Sequence, residues 1–428
     1  MSEALANPSN VFTFAFAAAL ICSMALKFWL ATRQVRHVVQ HRGEVPTAFA
    51  SRIPLAAHQK AADYTIAKTR FGMLELAWGV AVALAWTLLG GLSALNEFVT
   101  HHWGTGLVSQ ALLMALFIVI NAVIDIPFSL YGTFVIEKTF GFNKTTPALW
   151  LQDLGKSVVL GLLIGAPLLL LVLWLMGAAG PTWWLWTWGV WMGFNVLAML
   201  VYPAWIAPWF NKFQPLEDAS LAARVQALMQ RCGFRAQGCY VMDGSKRSAH
   251  ANAYFTGFGA SKRVVFYDTL LARLNADEVD AVLAHELGHF AHRHILKRVL
   301  SLFALSLLGF GLLGWLGTQV WFYTGLGVLP NLGGANDALA LLLFMLALPP
   351  FTAFVGPVFS WISRRHEFEA DAYAVQKSSG AHLSSALLKL YEDNAATLTP
   401  DPWYVRFYYS HPPAMQRLSR MAPLGEAT

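Results

Sequence analysis

Seven stretches of this chain are apolar for long enough to cross a hydrocarbon core of about 30 Å at 1.5 Å per residue. They run roughly over 11–31, 73–96, 107–131, 157–178, 183–207, 299–323 and 337–361. Between the fifth and sixth the pattern changes. Short β-branched and aromatic runs at 238–242 and 263–267 predict strands, with 252–257 as a third candidate between them. A helical period follows: Asn275 stands where an N-cap belongs, Glu278 three residues later can close a capping box, and Val279, Val282 and Leu283 recur at helical spacing.

Composition agrees with a polytopic membrane protein. The chain is 56% hydrophobic and only 13% charged, with 17 Trp, and a soluble domain of this make-up is excluded on that balance. The formal net charge of +6 would suggest an anionic partner such as nucleic acid in a soluble protein; here its distribution matters more than its sum, and no nucleic acid is expected. Cys22, Cys232 and Cys239 have the spacing of neither a disulfide framework nor a zinc knuckle and are read as packing residues.

Lys and Arg set the orientation. Segments 1–10, 98–106, 179–182 and 324–336 carry none, whereas 32–72 holds Arg33, Arg36, Arg42, Arg52, Lys60, Lys68 and Arg70. The first apolar stretch has its basic residues on the C-terminal side, so it is a retained anchor rather than a signal peptide. Seven spans with the N-terminus outside place the C-terminus in the cytoplasm. The expected division is a membrane region over 1–207, a metalloprotease domain over 208–298, two further spans over 299–361, and the rest of the protease domain over 362–428.

The chemistry centres on His285-Glu286-Leu287-Gly288-His289. Residues four apart on a helix share a face, so two imidazoles can hold one Zn²⁺ while Glu286 reaches the metal's open position. Zinc lowers the pKa of a bound water to about 7, and a neighbouring carboxylate can carry its proton to a leaving amine. Such a pentapeptide also arises by chance, and the site needs a further ligand. Ser363 to Asp371 begins where the seventh span ends, on the cytoplasmic side. By itself this charged stretch suits a solvated turn. Glu367 and Asp371, however, are four apart, so Glu367 can ligate while Asp371 orients a ligand imidazole. Glu369 lies about 160° round the helix from Glu367, at about 100° per residue, and has no such partner. The third ligand is therefore expected to be Glu367. His292 and His294 do not match a metzincin spacing and are read as interfacial. Asp125, late in an apolar run, either lines water or caps a helix end before Pro127.

These residues resemble the type I CAAX prenyl proteases, which are integral-membrane HExxH zinc endopeptidases. The resemblance also rests on Asp125-Ile126-Pro127-Phe128, Phe134-Val135-Ile136-Glu137, Gly141-Phe142-Asn143-Lys144, Ile206-Ala207-Pro208, Phe210-Asn211-Lys212, Asn252-Ala253-Tyr254-Phe255-Thr256-Gly257, Glu367 to Asp371, and Tyr409-Ser410-His411-Pro412-Pro413. It implies a predominantly α-helical polytopic membrane protein, with seven transmembrane helices around an intramembrane chamber and a cytoplasmic zincin-like α+β metalloprotease domain. It further implies one zinc per chain, an edge strand including Asn252, Ala253, Tyr254 and Phe255 that pairs with substrate, and assistance at the oxyanion from His411 and Arg417. On bland grounds Ser410 to Pro413 is a turn before a short helix.

The implied substrate is a peptide or protein, prenylated or not, cleaved near its C-terminus at the surface of the lipid bilayer. Nothing fixes the oligomeric state, and a monomer suffices. Leu424 to Thr428 lacks a dilysine signal and the connection between the last two spans is short. Both point to a bacterial inner membrane; a eukaryotic protein of this kind would lie in the ER membrane. Two alternatives remain at this stage: a related quality-control zinc protease for misfolded membrane proteins, and a transporter or scaffold with an incidental HExxH.

Overall fold

The computed structural model describes residues 7–234, 238–256 and 263–421; Gly257 of the predicted edge segment and the C-terminal Leu424 to Thr428 lie outside these. The first helix, Pro8–Gln40, starts on an Asn7 side chain that accepts the Ser9 N–H at 3.0 Å, with proline in the first turn where its missing N–H costs nothing. The polar segment 32–72 is largely helical. The first helix continues to Gln40, and the next, Leu55–Trp86, begins well before its apolar stretch at 73. An apolar run measures the depth of lipid, whereas a helix continues into water for as long as its backbone is satisfied.

Among the described residues, five helices are long and apolar enough to cross a membrane: Pro8–Gln40, Leu107–Glu137, Pro147–Ala178, Gly180–Phe210 and His294–Leu316. Two bent pairs bring the number to seven if each is one span: Leu55–Trp86 with Gly91–Trp103, bent by 46°, and Asp337–Thr352 with Gly356–Lys377, bent by 68°. The first bend needs glycine. Gly90 sits at φ +82°, and a Cβ on Gly91 would lie 2.6 Å from the Ala85 carbonyl oxygen. The second bend follows Pro349 and Pro350, which deprive the ladder of two donors. Phe16, Leu113, Leu173, Leu313, Phe322 and Leu343 are buried together and tie the first helix to the last two spans.

Asp125 does not end a helix. Leu107–Tyr131 runs through Pro127 and then widens into a π-turn over Gly132–Glu137. With Glu75, Asn121 and Ser129, Asp125 lines a cavity of about 540 Å³ between apolar spans, so the helix-cap reading is set aside.

Outside the spans lies a four-stranded sheet in the order β1-β2-β4-β3. Strands β2 (Gly238–Met242), β3 (Ala253–Thr256) and β4 (Arg263–Tyr267) match the expected runs; β1 (Phe213–Pro215) is too short to have left a pattern. β2 and β4 are parallel (Tyr240 opposite Val265), while β1 on β2 and β3 on β4 are antiparallel (Tyr254 opposite Val265). Val264, Val265 and Phe266 of β4 are buried on both faces, as a central strand requires. Helices Ala219–Arg231, Ala276–Ala291 and Gly380–Asp393 supply Val225, Leu283 and Leu387 to the same core, and β3 forms an edge.

Candidate active site

The HExxH helix, Ala276–Ala291, begins on a full capping box: Asn275 Oδ1 accepts the Glu278 N–H at 2.9 Å, and a Glu278 carboxylate oxygen accepts the Asn275 N–H at 2.9 Å. Ser385 and Lys389 bond the same buried carboxylate at 2.7 and 2.8 Å, fixing the helix start to Gly380–Asp393. Val279, Leu283 and Leu287 face the core. The opposite side crosses Gly356–Lys377 at Gly288. A Cβ there would lie 2.9 Å from Ala370 Cα, so only glycine lets the helices approach this closely. Ala370 stands between Glu367 and Asp371, and the crossing thus delivers both carboxylates to the two histidines.

His285 Nε2 and His289 Nε2 are 3.3 Å apart, and Glu367 oxygens lie 3.5 and 3.4 Å from them. Three donors on a tetrahedral zinc at about 2.05 Å would be separated by about 3.3 Å. Glu367 Oε2 is buried and makes no hydrogen bond, an expense that a cation in this position would remove. Burial by itself lowers the basicity of His285, yet the neighbouring Asp371 and Glu367 carboxylates outweigh it and raise the group to about 9, so the site favours positive charge. These three residues form a group able to hold a metal ion, and their two-nitrogen, one-oxygen donor set suits zinc.

Behind them, Asp371 Oδ1 lies 2.8 Å from His285 Nδ1 and accepts from Arg417 Nη2 at 2.6 Å, while Asp371 Oδ2 accepts from Arg417 Nε at 2.8 Å. Arg417 Nη1 is 3.9 Å from Glu367, so the guanidinium is committed to the carboxylates at the back of the site. His411 Nε2 lies 3.4 Å from Glu367, its Nδ1 is bonded to Ser410 Oγ, and its side chain stays open to solvent while the surrounding protein keeps its basicity below the usual imidazole value.

A cavity of about 390 Å³ joins His285, Glu286, Glu367, His411 and Arg417 to Asn252 and Ala253. Burial pushes the Glu286 carboxyl above its ordinary range, partly offset by the two histidines. At the strand edge, the Tyr267 N–H bonds the Asn252 carbonyl at 3.0 Å, and antiparallel alternation then turns the backbone groups of Ala253 and Phe255 outward. The Asn252 side chain holds the Ala253 N–H at 2.8 Å. Tyr254 points away, against Tyr267 and Met242, and contributes no side chain to the cavity.

Sequence reasoning missed the contacts of four residues here. Asn394 bonds the Ala251 N–H and the His250 ring at 3.1 Å each, anchoring the approach to β3, and the Tyr391 hydroxyl donates to the Pro412 carbonyl beside His411 at 3.4 Å. His294, expected at an interface, is buried, with Nδ1 3.0 Å from His289 Nδ1. Glu369, expected to lack a partner, lies 2.9 Å from His294 Nε2. No spacing rule covers these contacts; Arg293 in the left-handed region (φ 55°), just after the HExxH helix, creates the last two.

Residues 34–212 match the family profile described as CAAX prenyl protease N-terminal, five membrane helices, and residues 215–423 match peptidase family M48. CAAX prenyl protease 1 of Saccharomyces cerevisiae is 33% identical over 95% of this chain and 94% of its own length. This chain belongs to the type I CAAX prenyl protease family. The human CAAX prenyl protease 1 homolog is 30% identical over 95% of both chains. The crystal structure of S. mikatae Ste24p superposes with a TM-score of 0.89 at 31% identity, covering 96% of this chain and 99% of that one. As a type I CAAX prenyl protease family member the chain is a multi-pass integral-membrane metalloendopeptidase with a peptide or protein substrate. Nothing in these matches favours the quality-control or transporter alternatives.

Proposed function

We propose that this protein is a zinc endopeptidase that cleaves CAAX-type, prenylated C-terminal peptides, with His285, His289 and Glu367 holding one zinc and Asp371 orienting His285. The observation that carries the proposal is that His285 Nε2 and His289 Nε2 lie 3.3 Å apart with a Glu367 oxygen 3.5 Å from the first and the other 3.4 Å from the second, in the same cavity as Glu286 and the start of the edge strand. A zinc ion there supplies Lewis acidity toward water and the scissile carbonyl.

The chain's own residues do the rest. The outward N–H and C=O groups of Ala253 and Phe255 pair with an extended peptide, once the Asn252 side chain yields the Ala253 N–H. Glu286, whose carboxyl burial pushes above its ordinary range, would take a proton from the water that adds to the scissile carbonyl and pass it to the amine released as the C–N bond breaks. His411, whose basicity the surrounding protein lowers, can donate Nε2–H to a developing oxyanion, with the fixed charge of Arg417 nearby.

The CAAX assignment rests on the names of the similar proteins. Residues 208–298 and 362–428 together form the protease on the cytoplasmic face, and 1–207 with 299–361 form the membrane part around a chamber; the absence of Lys and Arg from the opposite connections supports this orientation. A bacterial inner membrane is the proposed location. The test is cleavage of matched prenylated and unprenylated CAAX peptides by purified protein, before and after chelation and zinc return. Cleavage of the prenylated peptide that is lost on chelation and restored by zinc is expected; metal-independent cleavage would overturn the mechanism, and indifference to the lipid would remove prenylation from it.

A further inference from the structure

His285 and His289 are held from behind in different ways. His285 Nδ1 meets a carboxylate directly, Asp371 at 2.8 Å. His289 Nδ1 meets another imidazole, His294 Nδ1 at 3.0 Å, and the far nitrogen of that ring, Nε2, lies 2.9 Å from Glu369 Oε2. The chain goes out of its way to make this contact. Arg293 adopts φ 55° and ψ 34°, a conformation that costs a non-glycine residue about 1–2 kcal/mol, and thereby starts the next helix at His294 against the end of the HExxH helix. His294 is 4% exposed, and the His366 ring lies flat on it, centroids 3.9 Å apart at 10°, so its orientation is locked. Arg365 Nε, 3.3 Å from Glu369 Oε1, steadies the carboxylate at the end of the row.

Two nitrogens 3.0 Å apart can share one proton, and two further constraints fix where it sits. If His289 gives its Nε2 lone pair to a metal, its Nδ1 must carry the hydrogen and His294 Nδ1 must accept it. A neutral His294 then carries its own hydrogen on Nε2, where Glu369 accepts it. We propose that His294 is a positioning residue for the metal centre: it accepts the Nδ1–H of His289 and passes the demand on to Glu369, so that a carboxylate backs the second ligand histidine through an intervening imidazole. The inference rests on the zinc reading above and adds to it two residues that touch neither metal nor substrate.

The test is zinc affinity, by competition with a chromophoric chelator, and the rate of zinc loss, on the full-length purified protein. His294→Phe keeps a flat ring under His366 but offers no acceptor, and should weaken zinc by about 10–100-fold, the range known for removal of an outer partner of a ligand histidine. His294→Asn places an oxygen near the position of Nδ1 and should restore most of that loss despite its poorer packing. Glu369→Ala changes a side chain already a third exposed and leaves the buried ring in place; it should keep stoichiometric zinc but release it several-fold faster. This variant decides the matter if His294→Phe does not fold. Wild-type affinity in His294→Phe, equal weakness in His294→Asn and His294→Phe, or an unchanged release rate in Glu369→Ala would each overturn the inference. Failure of the metal reading would show instead in the wild-type protein, as absence of zinc binding before any variant is compared.

Discussion

Arg417 grips Asp371 through two nitrogens, at 2.8 and 2.6 Å, on a carboxylate that also meets His285 Nδ1 at 2.8 Å. The two residues are therefore not equivalent. Removing Asp371 deprives a ligand histidine of its acceptor and strands a buried guanidinium, so Asp371→Ala should weaken zinc by about 10–100-fold and also destabilise the apoprotein. Arg417→Ala leaves Asp371 on His285; it should keep most of the zinc while kcat falls by about 10²–10³. Zinc content and single-turnover rates on both variants make the comparison. Parallel loss of zinc in the two would reduce Arg417 to a counter-ion.

Glu286 belongs to the cavity and not to the donor group, so metal and chemistry should separate there. Glu286→Gln should retain one zinc and lose peptide cleavage by at least about 10²–10⁴, the usual contribution of a general acid–base group. Glu367→Ala should lose both. Near-normal turnover in the glutamine variant would eliminate Glu286 as the proton carrier.

How much of this could be read beforehand depended on the range of the interaction. Local rules sufficed for the capping box at Asn275, the strands over 238–242 and 263–267, and the shared face of Glu367 and Asp371, because each is a matter of period and neighbouring side chains. The spans were visible as apolar runs, but their true ends at Gln40 and Leu55 were not, since hydropathy reports lipid depth and not helix length. His294 was missed for another reason. Its contact with His289 depends on one backbone reversal at Arg293, a residue type that gives no warning of a positive φ.

Gly288 is where two helices meet at backbone distance, so its replacement is a structural test of the site. Gly288→Ala puts a methyl 2.9 Å from Ala370 Cα, and neither partner is the movable end of a side chain. The helices must part by a few tenths of an ångström or more, at a cost of about 1–3 kcal/mol. Separating them moves Glu367 from the histidines, so zinc affinity should fall along with the thermal midpoint. An alanine variant with wild-type zinc affinity would show that the crossing has slack.

Glu278 offers a pH test remote from the metal. Burial raises its carboxyl, but bonds to Lys389, Asn275 and Ser385 more than offset this and hold it below the usual glutamate value. A depressed folded value gives stability that is present above the unfolded value, near 4.5, and is lost as pH falls through the folded one. Glu278→Gln should therefore cost about 2 kcal/mol at pH 6–8, of the order of one charged hydrogen bond, and the deficit should shrink below pH 4.5. Chemical denaturation of the apoprotein across that range measures it. A deficit constant with pH would mean that the cap acts through shape and not charge.

The histidines at 285 and 289 and the glutamate at 367 are separated in the chain by His294–Leu316 and by the apolar half of the 68° bend, Asp337–Thr352. During synthesis the two imidazoles therefore precede Glu367, with the apolar helices made in between. Until Glu367 packs against the HExxH helix, the donor group of His285, His289 and Glu367 is incomplete. The proposed metal cradle is thus a product of tertiary packing across two apolar helices, and cannot form from the HExxH helix alone.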